Sequence, residues 1–156
     1  MNKTLVSPKN ILVIEDDNAL LGAITAKLEG AKFTVITARS VDEAFGIAHM
    51  SSASLTLTPE LVTNTINHVD NLARIDAIWL DHNLISIDDG LDFIVKFKAN
   101  GGAWGRIPIF VVSNSANPDL IKTYAAIGVN HYYLKAEYRL ETIVNDIITT
   151  IDTVSP

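Results

Sequence analysis

Two acidic positions in this chain stand where chemistry could be done. Glu15 and Asp16 close the apolar run Ile11-Leu12-Val13-Ile14, and Asp81 closes the run Ala77-Ile78-Trp79-Leu80. In a parallel α/β sheet such runs are buried strands whose carboxyl ends share one edge, and that edge is where these folds place their ligand sites. If the two strands are neighbours, the three carboxylates converge, and they raise one another's pKa unless a cation sits among them. An all-oxygen pocket with few protein ligands suits a hard divalent ion, Mg²⁺ above all.

Positioning these groups requires strands that alternate with helices, and the pattern of apolar residues supplies them. The first strand is 11–14. The first helix begins near Asn18, carries Leu20, Leu21, Ile24 and Leu28 on one face, and stops at Gly30. The second strand is 33–37, and Ser40 with Glu43 three residues on reads as a capping box for a helix through about Met50. The third strand is 77–80 and the fourth 107–112, entered through Pro108. Asn117-Pro118-Asp119 starts a helix with Leu120, Ile121, Tyr124 and Ile127 inward and Gly128 as its stop. The fifth strand is 131–134, with Tyr132 and Tyr133 on opposite faces, and Leu140, Ile143, Ile147 and Ile151 mark a last helix. Residues 51–75 are more than a five-unit sheet requires. Thr58-Pro59-Glu60 and the spacing of Val62, Ile66, Val69 and Ala73 predict a short extra helix there, either a surface insertion or an element for docking a partner.

Composition narrows the function. The length of 156 residues predicts a single domain, 1–156, and 48% hydrophobic residues with a mean hydropathy of +0.24 suit a packed α/β core. Net charge is −6 and the 12 Lys and Arg are scattered, so no basic stripe is present for direct nucleic-acid binding. The absence of cysteine excludes disulfides, thiolate metal sites and a Cys nucleophile. No apolar stretch is long enough for a membrane span, and the start of the chain lacks a signal-peptide core, so the expected location is cytoplasmic.

Four motifs together resemble the receiver domain of two-component response regulators: Ile-Glu-Asp-Asp at 14–17, Leu-Asp at 80–81, Val-Ser at 112–113 and Tyr-Tyr-Leu-Lys at 132–135. The resemblance covers residues 10–151 apart from the insertion. It implies a flavodoxin-like, doubly wound parallel sheet of order 2-1-3-4-5. It further implies that Asp81 accepts a phosphoryl group from a phosphohistidine on a histidine kinase or histidine phosphotransfer protein, in a regulatory phosphorelay rather than as an enzyme. Glu15 and Asp16 look like the metal-holding pair, Asp16 directly and Glu15 through water, with Asp81 and the backbone carbonyl of Asn83 as the other protein ligands. Lys135 would neutralise one phosphoryl oxygen and the Ser113 hydroxyl would bond another. The family's switch has a hydroxyl at the Ser113 position move toward the phosphoryl group while an aromatic at the Tyr132 position turns inward. That couples the site to a face of the fourth helix, fifth strand and fifth helix, here 117–151, which contacts a downstream protein.

Taken singly, each residue has an ordinary reading: an acidic cluster at a helix start for residues 15–17, an Asx turn for Asp81, a cap for Ser113, a solvated lysine for Lys135, a core aromatic for Tyr132. Their joint order favours the site. Three positions depart from the family pattern: Ala136 replaces a proline that follows a cis peptide, Asn114 stands where a small residue is usual, and the acidic loop 85–90 lacks a proline while keeping Gly90 at the expected turn. A cis bond before alanine costs roughly 2.5–4 kcal/mol. One alternative is a pseudo-receiver, a binding scaffold without regulated phosphorylation. Another is a haloacid-dehalogenase-type phosphohydrolase, whose second catalytic aspartate would fall on Asn83, a residue that cannot serve as general acid. A Rossmann nucleotide binder would need a glycine-rich turn where Glu15-Asp16-Asp17-Asn18 stands. Only Asp152 to Pro156 follow the last helix, consistent with a stand-alone regulator or with a fragment cut at a linker.

Overall fold

The computed structural model describes residues 8–52, 75–84, 87–99, 104–129 and 131–154. Five strands, β1 (Asn10–Ile14), β2 (Thr34–Ala38), β3 (Ala77–Asp81), β4 (Ile109–Ser113) and β5 (His131–Leu134), form one sheet in the order β2-β1-β3-β4-β5, with every pairing parallel. Helices α1 (Asn18–Gly30), α2 (Val41–Ser52), α3 (Ile87–Ala99), α4 (Pro118–Ala126) and α5 (Leu140–Val154) alternate with them, and a 3₁₀ turn at Trp104–Arg106 precedes β4.

Strand alternation divides the core into two layers. Leu12, Ile14, Ile78, Leu80 and Val111 face Ala44, Phe93, Phe97 and Tyr124 on the side of α2, α3 and α4. Ile11, Val13, Trp79, Phe110 and Val112 face Ile24, Leu28, Ile143, Ile147 and Ile151 on the side of α1 and α5. Tyr132 packs in the first layer and Tyr133 in the second, as alternation requires. The Tyr133 hydroxyl also donates to Asp146 Oδ2 at 2.8 Å, which ties β5 to α5.

Helix starts are built as the sequence reads. Asp17 Oδ1 accepts from the Leu20 amide at 2.8 Å, and the Asn117 side chain accepts from the Asp119 amide at 2.9 Å ahead of Pro118. Ser40 Oγ accepts from the Glu43 amide at 3.1 Å, while Glu43 reaches back to the Arg39 amide at 2.8 Å, one residue earlier than in a standard capping box.

Some expectations shift. β2 begins and ends one residue later than 33–37, because the Phe33 amide is taken by the end of α1 through Leu28 O at 3.1 Å. β4 starts at Ile109 rather than 107, since Pro108 has no amide for the ladder, and it runs on to Ser113. The region between the third and fourth strands holds α3, for which the sequence reading named no helix, and Gly90 lies inside that helix rather than at a turn. Packing of Phe93, Ile94 and Phe97, each no more than 1% exposed, outweighs the poor helix propensity of its first turn. The extra helix read from residues 58–73 lies outside the described residues. Among the described residues no helix is long and apolar enough to cross a membrane.

Gly128 follows α4 with φ of +90°, a conformation that strains any residue with a Cβ, and its carbonyl accepts from Lys98 Nζ at 3.2 Å. Gly128→Ala is expected to lower unfolding stability by about 1–2 kcal/mol, read as a lower urea midpoint at unchanged slope.

Candidate functional site

The ladder of the sheet continues past the strands, and this continuation builds the site. The Glu15 amide donates to Ala38 O at 3.0 Å, the His82 amide to Val112 O at 3.0 Å, and the Lys135 amide to Ser113 O at 2.8 Å. Register places Ile14 opposite Leu80, Asp81 opposite Val112, and Ser113 opposite Leu134. Glu15, Asp81, Ser113 and Lys135 therefore come from four adjacent strand ends on one edge. Glu15 is 1%, Asp81 2% and Ser113 0% exposed.

Carboxylate oxygens of Glu15, Asp16 and Asp81 lie within 4.8 Å of one another. Lys135 Nζ stands 3.1 Å from Asp81 Oδ1 and 3.9 Å from Glu15 Oε2. The Asn83 amide donates to the same Asp81 oxygen at 2.9 Å, and the Asp17 amide donates to Glu15 Oε1 at 3.1 Å. Glu15 Oε2 is buried without a hydrogen-bond partner. Burial, reinforced by the neighbouring Asp81 and opposed by the Asp17 amide and Lys135, pushes the Glu15 carboxyl up to about 8.

This donor set fits a hard divalent cation. It offers oxygen atoms only, gathered closely, and one of them is buried without a hydrogen bond. Burial first, and the charge of Asp81 after it, hold the Glu15 carboxyl well above the usual carboxylate range, and Lys135 only partly offsets them.

The neighbouring polar groups are tightly connected. Asn83 Oδ1 accepts from the Asn114 amide at 3.1 Å and from Ser113 Oγ at 3.4 Å, and Ser113 Oγ accepts from the Ser115 amide at 3.0 Å. Tyr132, half-buried, donates its hydroxyl to Ser115 O at 2.8 Å. Among the described residues there is no cis peptide bond, so Lys135 reaches Asp81 on a trans backbone that turns through Glu137 and Tyr138 amides bonded to Leu134 O. The structure thus gathers Glu15, Asp16, Asp81 and Lys135 at one edge, bonds Asn83 to Asp81 through its amide and to Ser113 through its side chain, and links Tyr132 to them through Ser115. One further residue, His82, was not singled out. It is 4% exposed on the α4 side of the sheet and shares a 2.6 Å hydrogen bond between its Nδ1 and the Tyr124 hydroxyl. Burial lowers the His82 pKa against the opposing pull of Asp81.

A sign follows for the metal-free protein. Folded Glu15 keeps its proton to about pH 8, whereas an unfolded one loses it near 4.5, so the contribution of this group to stability is full below 4.5 and falls as pH rises toward 8. Melting temperatures in a chelator are expected to drop between pH 6 and 8.5. Added Mg²⁺ is expected to raise them with the logarithm of its concentration, by more at pH 8.5 than at pH 6 because binding displaces that proton, and Asp16→Ala should lose the Mg²⁺ increment.

No protein-family model matches the sequence, and no curated protein matches it significantly. Solved structures do. The non-phosphorylated receiver domain of HemR from Leptospira biflexa superposes with a TM-score of 0.69 at 18% identity, over 95% of this chain and 98% of its own. A CheY-like response regulator receiver domain protein from Methanospirillum hungatei gives 0.68 at 17% identity, over 94% and 96%. The phosphorylated cyanobacterial phytochrome response regulator RcpA gives 0.61 at 25% identity, over 92% and 91%. With its five parallel strands in the order 2-1-3-4-5 and helices on both faces, this chain has the receiver-domain fold of response regulators.

Proposed function

We propose that the chain is a phospho-accepting receiver domain of a two-component phosphorelay. The observation that supports this most is Asp81 itself, a buried carboxylate held by Lys135 at 3.1 Å and by the Asn83 amide at 2.9 Å inside an acidic, metal-suited pocket. The donor is a phosphohistidine on a histidine kinase or a histidine phosphotransfer protein. An Asp81 oxygen attacks phosphorus, the P–N bond breaks, and its electron pair leaves with the imidazole, giving an acyl phosphate on Asp81.

Lys135 and the Asn83 amide both engage Oδ1 and so fix the carboxylate plane, which leaves Oδ2 to attack. Mg²⁺ held by Glu15, Asp16, Asp81 and the Asn83 carbonyl would neutralise charge on the phosphoryl oxygens. Lys135 supplies a second positive charge, and the Ser113 hydroxyl exchanges its long bond to Asn83 for one to a phosphoryl oxygen. That exchange strains the Ser113 and Ser115 contacts and, through Ser115 O, the hydroxyl of Tyr132. The output is a change in the face formed by α4, β5 and α5, read by a protein partner in the cytoplasm.

Incubation with acetyl phosphate and Mg²⁺ is expected to add one acid-stable, base-labile phosphoryl group by mass spectrometry, and Asp81→Asn should add none. Equal labelling of Asp81→Asn places the acceptor elsewhere; an unlabelled wild type, with donor kinases also inactive, leaves a binding scaffold.

Asn114 is exposed beside Ser113 and is larger than the family's usual residue there. Asn114→Ala is expected to speed both labelling by acetyl phosphate and decay of the phosphoprotein by up to about tenfold, since both reactions cross the same approach. Rates that are unchanged or slower assign Asn114 a bonding rather than a blocking role.

A further inference from the structure

His82 sits one residue past Asp81 and faces the opposite layer, where an apolar side chain would complete the packing. Instead an imidazole 4% exposed meets the hydroxyl of Tyr124, itself 0% exposed, at 2.6 Å, with the rings edge to face at 5.5 Å. Burying two polar groups costs more than burying an apolar pair, and it is recovered only while they bond each other. Such a pair specifies position: apolar surfaces can slide by an ångström at small cost, but a directional bond cannot.

Tyr124 lies in the last turn of α4. Its hydroxyl stands 3.4 Å from where a Cβ on Gly90 would be, so α3 leaves room for it, and its ring centroid is 5.7 Å from that of Tyr132. The contacts then close on themselves. From Asp81 they run through the Asn83 amide and side chain to Ser113, on to Ser115, to the hydroxyl of Tyr132, across to Tyr124, and back to His82, the residue next to Asp81. One half of this circuit passes through the strand-end loops where a phosphoryl group would act, and the other half anchors α4 to a central strand.

We propose that the His82–Tyr124 hydrogen bond is a tether that holds α4 in its resting place and has to be released for the α4–β5–α5 face to change. This rests on the receiver reading above and adds the element that opposes the switch. A tether made in one state and broken in the other biases the equilibrium toward the first by its full worth. Removing it lets Tyr124, and with it the ring of Tyr132, take other positions at lower cost.

The test uses the whole chain as wild type, Tyr124→Phe, His82→Leu and the double variant, with circular dichroism to establish that each is folded. Tyr124→Phe deletes only the hydroxyl and keeps the ring that packs the layer. Two quantities are read: hydrogen exchange of amides in 118–126 without ligand, and affinity for beryllofluoride with Mg²⁺ as the probe of the phosphorylated state. The expected result is exchange faster by about tenfold in each single variant, the worth of one hydrogen bond. The double variant should be no faster than either single one, because the same bond is lost once. Beryllofluoride should bind several-fold more tightly in all three. Wild-type exchange rates in Tyr124→Phe, additive effects in the double variant, or unchanged beryllofluoride affinity would each overturn the tether. A wild type that binds no beryllofluoride sinks the receiver reading, and the switching role falls with it even if exchange in α4 changes.

Discussion

The parallel register between β1 and β3 is the constraint on which the rest depends. Ile14 opposite Leu80 sets Glu15 level with Asp81, while Asp81 opposite Val112 and Ser113 opposite Leu134 place Ser113 and then Lys135 each one residue further along the edge. A slip of one residue between any two of β1, β3, β4 and β5 would turn the slipped strand's side chains to the other layer and move an acid, Ser113 or the lysine out of place. The two core layers guard against that slip, because both faces of the central strands are apolar and each is matched to different helices. Site geometry is thus a by-product of core packing, and the chemistry needs no long loops to place its groups.

The same arrangement creates an electrostatic problem that it does not solve by itself. Glu15 and Asp81 are forced into near-complete burial by the ladder bonds of their own backbones, and the one lysine nearby favours Asp81. The protein answers with a proton on Glu15, held up by burial first and by Asp81 second. The cost of assembling the pocket is borne by the fold before any ligand arrives, the usual basis of a preorganised site.

Much of this was legible in the sequence, for identifiable reasons. Each site residue ends an apolar run, so the strands advertise the edge, and the alternation of Tyr132 and Tyr133 followed from a period of two. Helix α3 was not legible because it opens with Ile87-Asp88-Asp89-Gly90, which reads as a loop, while the residues that make it a helix declare themselves only by packing on the sheet. His82 was hidden for a different reason. A polar residue just past a strand looks like the start of a turn, and its partner Tyr124 is 42 positions away. The bridge from Asn83 to Ser113 and Asn114 is invisible on the same ground, being a property of two loops that only the register brings side by side.

The bond between Tyr133 and Asp146 has a consequence for anything that docks nearby. It fastens α5 to β5 from the second layer, and it does not pass through the edge that carries Asp81. The β5–α5 seam thus has its own side-chain bond, separate from the one between His82 and Tyr124 that holds α4. Under the switch proposed above, a partner docking here would pay ordering entropy where α4 moves rather than at the β5–α5 seam, so its preference for one state would be carried by α4.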